Sequence, residues 1–277
     1  MPSKQSKPFS PKNFGPHIRD QISVPQIMWT VVLALLPAVI AHLVLKRYDA
    51  FRIVTISLAS AILSEMGMRR LFAKRVSVYD GSVVITALLY ALLIPPDLPS
   101  WMAALGAIFA VIVGKEIFGG LGQNPFNPAL VGIIFLSACF PAARKLFLIP
   151  IETGPLKIYS AAVFLGGIIL VAKRIIDWSS AFFYLAGFLV LRMICGTRAD
   201  FSFLSIPLLA AFFLVTDPVT TPLMQKGRRL FALTAGAMTG FLQWGTSAAE
   251  AVVYSILLMN GLVPWFDHFL RPIKRKS

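Results

Sequence analysis

Apolar runs, several of them without charge, separated by short polar gaps, make up most of the chain. They lie near 25–45, 51–71, 81–95, 101–118, 127–141, 158–173, 178–195, 203–216, 230–244 and 249–266. Their length and continuity predict about ten helical segments. A full bilayer crossing takes roughly 20 residues. The runs at 81–95, 127–141 and 203–216 are shorter than that, so they read as half-helices or broken helices, buried by their neighbours and lining a cavity.

The pattern also recurs. Residues 92–97, LLIPPD, answer to 213–218, FLVTDP, each closing a short apolar run with an acid and proline. A longer helix follows in both places, then a loop rich in glycine or amides and another apolar run. A duplicated unit of five segments accounts for this, and because five is odd the second copy enters the membrane inverted. Such an architecture predicts a binding site near the midplane, between broken helices of the two copies. The expected divisions are a basic N-terminal arm at 1–24, a first repeat at 25–141, a connecting loop at 142–157, a second repeat at 158–266 and a basic tail at 267–277.

Composition fixes the surroundings of these helices. With 57% hydrophobic residues, 14% charged residues and a mean hydropathy of +0.76, the chain reads as an all-α integral membrane protein. A formal charge of +14 would suggest nucleic acid in a soluble protein. Here Lys and Arg sit in the gaps between apolar runs, where they act as topology signals, so no nucleic-acid partner is expected. With ten crossings, most of the 26 basic residues fall on the side of the N-terminus. Both termini are therefore expected in the cytoplasm, with the chain in the inner (plasma) membrane. The first 26 residues lack an apolar core and read as a cytoplasmic arm, not a cleaved signal. Cys139 and Cys195 lie within apolar runs, and His17, His42 and His268 form no ligand spacing, so no metal site is expected.

The polar chemistry concentrates in two places. GGLGQNPFNPALVG at 119–132 sets three glycines before a helix start, with Asn127 as N-cap and Pro128 as first helical residue. That helix start offers free N–H groups to a polar ligand, with Gln123 and Asn124 beside it. The second place is Asp217-Pro218, followed by Thr220, Thr221 and Pro222: a capped turn by itself, and a facing half-site if the repeat is real. Glu65 precedes Arg69 by four residues, which fits an ion-paired helix end or a step on an ion pathway, a role open to Asp217 as well. Asp80 reads as an N-cap, and Lys115 as a charge at a helix C-terminus.

Four stretches carry a family resemblance: GPHIRDQISVPQIMWTVVLALLPAV at 15–39, the run from VYDGSVV through GKEIFGGLGQNPFNPALVG at 78–132, FFLVTDPVTTPLMQKGRRLF at 212–231 and AVVYSILLMNGLVPWFD at 251–267. Together they resemble the membrane subunits RnfD and NqrB of Rnf complexes and sodium-pumping NADH:quinone oxidoreductases. The resemblance implies an inverted five-plus-five fold, related to that of urea and ammonium-like channels, and flavin held in the membrane domain. One family feature is missing. Members usually carry SGAT after the fifth segment, where the threonine is esterified to FMN; here the loop reads PAARKLFLIPIETGPLKIYS at 141–160. With Pro155-Leu156 matched to the Pro-Leu that often follows the family motif, Gly154 falls at the acceptor position and Thr153 stands one residue away, so covalent FMN would require a shifted attachment at Thr153.

The expected cofactor is therefore a non-covalent flavin, FMN or riboflavin. Gln123, Asn124, Asn127, Asp217 and Thr220 have the chemistry to meet its polar edge, and Phe118, Phe126 and Trp244 to stack on it. No catalytic residue for soluble-enzyme chemistry stands out. Two functions remain open at this stage: a membrane subunit of an Rnf/Nqr-like ion-translocating oxidoreductase, partnered by other membrane and redox subunits, or a transporter or channel for a small polar solute or flavin.

Overall fold

The computed structural model describes residues 23–72, 78–147, 153–195 and 204–270. Helix α1, Val24–Leu71, contains the first two apolar runs, joined at Arg47, whose φ of 45° and ψ of −117° break the helix into arms at 24–46 and 48–71. Each arm is about 35 Å long, enough to cross a hydrocarbon core. The arms run in opposite directions. Trp29 Nε1 in the first donates to the Tyr79 carbonyl (3.0 Å), while Arg52 in the second reaches the Pro96 carbonyl (3.0 Å) and Ser100 Oγ (3.1 Å). By Arg69 the second arm has returned to Asp80.

The remaining helices continue the alternation. They are α2 (Ser82–Leu93), α3 (Ser100–Val111, extended by a π-helical turn at Ile112–Glu116), α4 (Pro128–Cys139), α5 (Pro141–Phe147), α6 (Thr153–Ala172), α7 (Trp178–Ile194), α8 (Ser205–Leu209, extended by a second π turn at Ala210–Leu214), α9 (Gln225–Leu242), α10 (Ala248–Gly261) and α11 (Val263–Phe269). Cross-links fix the directions. At one end of the bundle, Gln225 and Arg229 at the start of α9 bond Asp177 and Ser179 at the start of α7; at the other end, Arg192 near the end of α7 meets Gln243. Among the described residues, counting the two arms of α1 separately and setting aside the short α5 and α11, ten runs alternate, the first run of the first five starting at one end and that of the second five at the other.

Three boundaries differ from the apolar pattern. Helix α9 begins five residues before the run at 230, because Lys226, Arg228 and Arg229 occupy its first turns, where polarity hides the start. Helix α5 and the first residues of α6 occupy part of the 142–157 connection. Helix α10 bends by 46° into α11 instead of running on to 266, and Pro264 near that junction cannot supply a continuing N–H.

Large apolar side chains ring the outside: Leu33, Ile40, Val44, Leu63, Phe182 and Val190 are all exposed. In water this belt would be an aggregation surface; in a bilayer it is the lipid face. Inside, small residues bring helices close, as membrane packing favours. A Cβ at Gly236 of α9 would overlap the Tyr184 carbonyl of α7, and one at Gly240 would lie 2.6 Å from the Phe188 carbonyl. Gly132 of α4 is pressed equally against Gly106 and Ala110 of α3. Gly236→Ala is therefore expected to cost about 1–3 kcal/mol by overpacking. Gly67→Ala, whose Cβ meets nothing within 4 Å, should be neutral or stabilising by up to ~1 kcal/mol. Thermal unfolding of both variants in one detergent checks this, and equal midpoints would refute the close α7–α9 contact.

Candidate functional site

The π turn at the end of α3 turns both Lys115 and Glu116 into the protein, where each is 2% exposed. Lys115 Nζ donates to Ser82 Oγ (2.7 Å) and to Glu65 Oε2 (3.1 Å). Glu65, fully buried, also pairs with Arg69 one turn along α1, as its spacing predicts. Arg69 extends the network to Glu116 (3.6 Å) and Asp80 (3.8 Å). Asp80 Oδ1 accepts from the Ser82 N–H (2.9 Å) and hydroxyl (2.6 Å), capping α2 across Gly81. Lys115 thus joins a buried ion network instead of neutralising the end of its own helix.

Beyond Glu116 the chain reverses through Gly119, Gly120 and Gly122, at φ of 121°, 103° and 84°, a region that side chains with a Cβ rarely enter. Asn124 Nδ2 then donates to the Phe126 carbonyl (3.0 Å), and Asn127 Oδ1 accepts from the Ala129 N–H (3.1 Å) with Pro128 at the first helical position. The expected cap is present. The second polar loop follows the π turn of α8. Asp217 Oδ1 accepts from the Val219 N–H (3.0 Å), the Thr220 hydroxyl donates to Asp217 Oδ2 (3.2 Å), and the Thr221 hydroxyl donates to the Asp217 carbonyl (2.7 Å). One buried side chain ties the loops together. Asn260 of α10 accepts from the Asn127 N–H (3.2 Å) and donates to the Thr220 carbonyl (2.9 Å).

Between the loops lies a cavity of about 390 Å³. Val31, Leu89, Phe212 and Phe213 supply apolar wall; Lys115, Asn124, Asn127 and Asp217 supply polar wall; Lys173 and Arg174 stand in the wall as exposed residues at its mouth. Ile27, Met28 and Val31 place it beside the first two turns of α1. The cavity therefore sits toward one end of the bundle and not at the midplane expected of an inverted repeat, because the helix ends that build it all meet there.

Of the residues singled out from sequence, Asn124, Asn127 and Asp217 share this wall, while Gln123, Phe126 and Thr220 do not. Thr220 contributes through its carbonyl to the Asn260 tie. Phe118 is 42% exposed, and Trp244, 72% exposed, follows α9 at the opposite end of the bundle. Glu65 lies behind Lys115 rather than in the wall. Thr153 begins α6 at the end away from the cavity, and its side chain lies outside the described residues. Lys115, Ser82, Lys173 and Arg174 complete the wall, and sequence reading gave them other roles or none. Asn260 was legible only as an amide inside an apolar helix, a placement that demands a partner.

These features define a multi-span all-α membrane protein with a half-polar cavity between two motif loops. The chain belongs to the NQR2, RnfD, RnfE family, which matches residues 12–154 and 143–276. Among its relatives, the D-type component of the proton-translocating ferredoxin:NAD(+) oxidoreductase complex of Clostridium ljungdahlii is 30% identical, covering 94% of each chain. The D-type component of the ion-translocating oxidoreductase complex of Methanosarcina acetivorans is 31% identical over 91% of this chain and 92% of its own. Its counterpart in the Na(+)-translocating ferredoxin:NAD(+) oxidoreductase complex of Acetobacterium woodii is 31% identical over 93% and 92%.

Proposed function

We propose that the chain is the D-type membrane component of an ion-translocating ferredoxin:NAD(+) oxidoreductase complex and that its cavity holds a flavin non-covalently. Membership of the family and the naming of its relatives support the first part. The second part is carried by one observation: loops 124–128 and 216–219, from the two halves of the chain, wall a single cavity. Its size falls within the range of small-ligand sites, with the apolar body and few polar groups such sites use.

A flavin bound there would supply one- and two-electron transfer within the membrane domain. The protein's part is to hold and orient. Phe212, Phe213 and Leu89 offer a slot that excludes water, and the amides of Asn124 and Asn127 offer donors and acceptors at its edge. Lys115, fixed by Glu65 and Ser82, holds a positive charge in the wall where negative charge on a reduced ring would be stabilised. The ion network behind Lys115 leads away from the cavity through Glu65 and Arg69 and offers protonatable groups next to that charge.

Orientation follows from the same face. The helix ends around the cavity carry Arg69, Arg70, Lys173, Arg174, Arg228 and Arg229, and α1, which follows the basic arm in sequence, starts at this end. The positive-inside rule then puts the cavity at the cytoplasmic side of the plasma membrane, with both termini, facing soluble redox partners.

The test is the flavin content of detergent-purified protein before and after acid precipitation. Flavin released into the supernatant is expected. Fluorescence kept in the pellet would move the flavin to a covalent site such as Thr153, which stands about 26 Å from Leu170 of the cavity along α6. Absence of flavin from both fractions would refute the cofactor assignment, while co-purifying iron–sulfur or flavoprotein subunits would test the complex separately.

A further inference from the structure

Among the described residues three tyrosines are buried, and their hydroxyls fare differently. That of Tyr90 donates to the Ala103 carbonyl (3.0 Å), and that of Tyr184 shares a bond with the Thr239 hydroxyl (2.9 Å). Tyr159, 7% exposed in the second turn of α6, has no hydrogen-bond partner for its hydroxyl. Its ring meets that of His42 edge to face, with 6.4 Å between centroids, and His42 Nε2 is likewise buried without a partner. Ser160, the next residue of α6, adds a second hydroxyl in the same state.

These groups lie at the end of the bundle away from the cavity. His42 closes the first arm of α1 shortly before the break at Arg47, and Tyr159 stands near the start of α6. The same two helices reach the cavity at their other ends, through Ile27, Met28 and Val31 of α1 and Leu170 of α6. Between the two places the contact is apolar and close. Ala34, Leu35, Ala38 and Val163 are fully buried, and a Cβ at Gly166 would overlap the Ala34 carbonyl.

Hydrocarbon offers no partner to a phenol, an imidazole or a hydroxyl, and each such group left alone there costs free energy. A buried water makes about three hydrogen bonds to groups of this kind. Imidazole and hydroxyl can each donate and accept, and a lone imidazole with two hydroxyls, lacking carboxylate or thiolate, suits water better than a metal ion.

We propose that His42 and Tyr159, with Ser160 beside them, hold ordered water, forming a second polar site on the α1–α6 pair at the end opposite the cavity. One apolar layer, which contains Ala34 and Gly166 and extends about 16 Å from Val31 to His42, then separates the hydrated groups at the two ends.

Radiolytic hydroxyl-radical labelling of the detergent-purified protein tests this, because radicals formed from bound water oxidise the side chains that touch it. Tyr159 should be oxidised at a rate approaching that of exposed Tyr48, while Tyr90 and Tyr184 stay protected. His42→Leu should abolish the Tyr159 signal, and His42→Gln, which keeps a hydrogen-bonding group, should retain it. Tyr159→Phe should lower the thermal midpoint by roughly 2–4 °C, the loss of one bridged hydrogen bond.

Protection of Tyr159 equal to that of Tyr90 and Tyr184 would overturn the inference, as would a raised midpoint in Tyr159→Phe, the result for a hydroxyl left dry. Oxidation of Tyr159 that persists in His42→Leu would overturn the assignment to this pair. If His42→Leu fails to fold, the wild-type labelling and the Tyr159→Phe midpoint decide. Flavin content bears on none of these outcomes.

Discussion

Glu65→Leu should lower the stability of the protein by about 3–5 kcal/mol, the cost of leaving a buried charge without its partner. Lys115 is 2% exposed and has two partners, Glu65 and Ser82. With Glu65 removed, its ammonium keeps one hydroxyl, and Arg69 loses its nearest carboxylate. Lys115→Met should destabilise by a similar amount, since Glu65 then depends on Arg69 alone. The double variant Glu65→Leu/Lys115→Met should be more stable than either single variant, because two desolvated charges leave together and residues of comparable volume fill the space. Thermal midpoints of the three variants in one detergent give the comparison. Single variants as stable as wild type would mean that water reaches the network and that burial is not what sets its energetics. The double variant also separates folding from cofactor binding. It should fold, yet retain less flavin, because the wall has lost the buried ammonium of Lys115.

How far the sequence disclosed this arrangement depended on the range of each interaction. The Asn127–Pro128 start of α4, the Asp80 cap and the Asp217 turn are all closed by hydrogen bonds within four residues, so residue type and local order sufficed to read them. Glu65 and Arg69 are one helical turn apart and were legible for the same reason. Lys115 was misread because its partners lie 33 and 50 residues away and because a π turn, which no hydrophobic pattern announces, faces it inward. The start of α9 was hidden by cations that a membrane helix carries at its polar end. The cavity was expected at the midplane from symmetry alone. Its position depends on which helix ends converge, a property of packing that the repeat does not determine. Arg174 was visible as a basic residue in a gap, but its left-handed conformation, at φ 56°, belongs to the closure of α6 and has no signature when glycine is absent.

Asn260 offers the sharpest test that the two motif loops form one site. Asn260→Leu would leave two buried groups without partners, the Asn127 N–H and the Thr220 carbonyl, donor and acceptor on residues 133 and 40 positions away. At about 1–3 kcal/mol for each orphaned group, the expected loss is roughly 2–6 kcal/mol, with no compensation from water in a buried position that is 2% exposed. Stability alone does not distinguish a structural tie from one that shapes a ligand site. The distinguishing measurement is flavin retention well below the unfolding temperature, compared with Gly236→Ala, which strains the α7–α9 contact without touching either loop. Asn260→Leu should release flavin from protein that remains folded, because Asn124, Asn127 and Asp217 are held in one wall only while their loops are held to each other. Gly236→Ala should lower the midpoint and keep the flavin. Equal retention in the two variants would show that the loops keep their positions without Asn260, and that the cavity does not depend on the tie between the two halves of the chain.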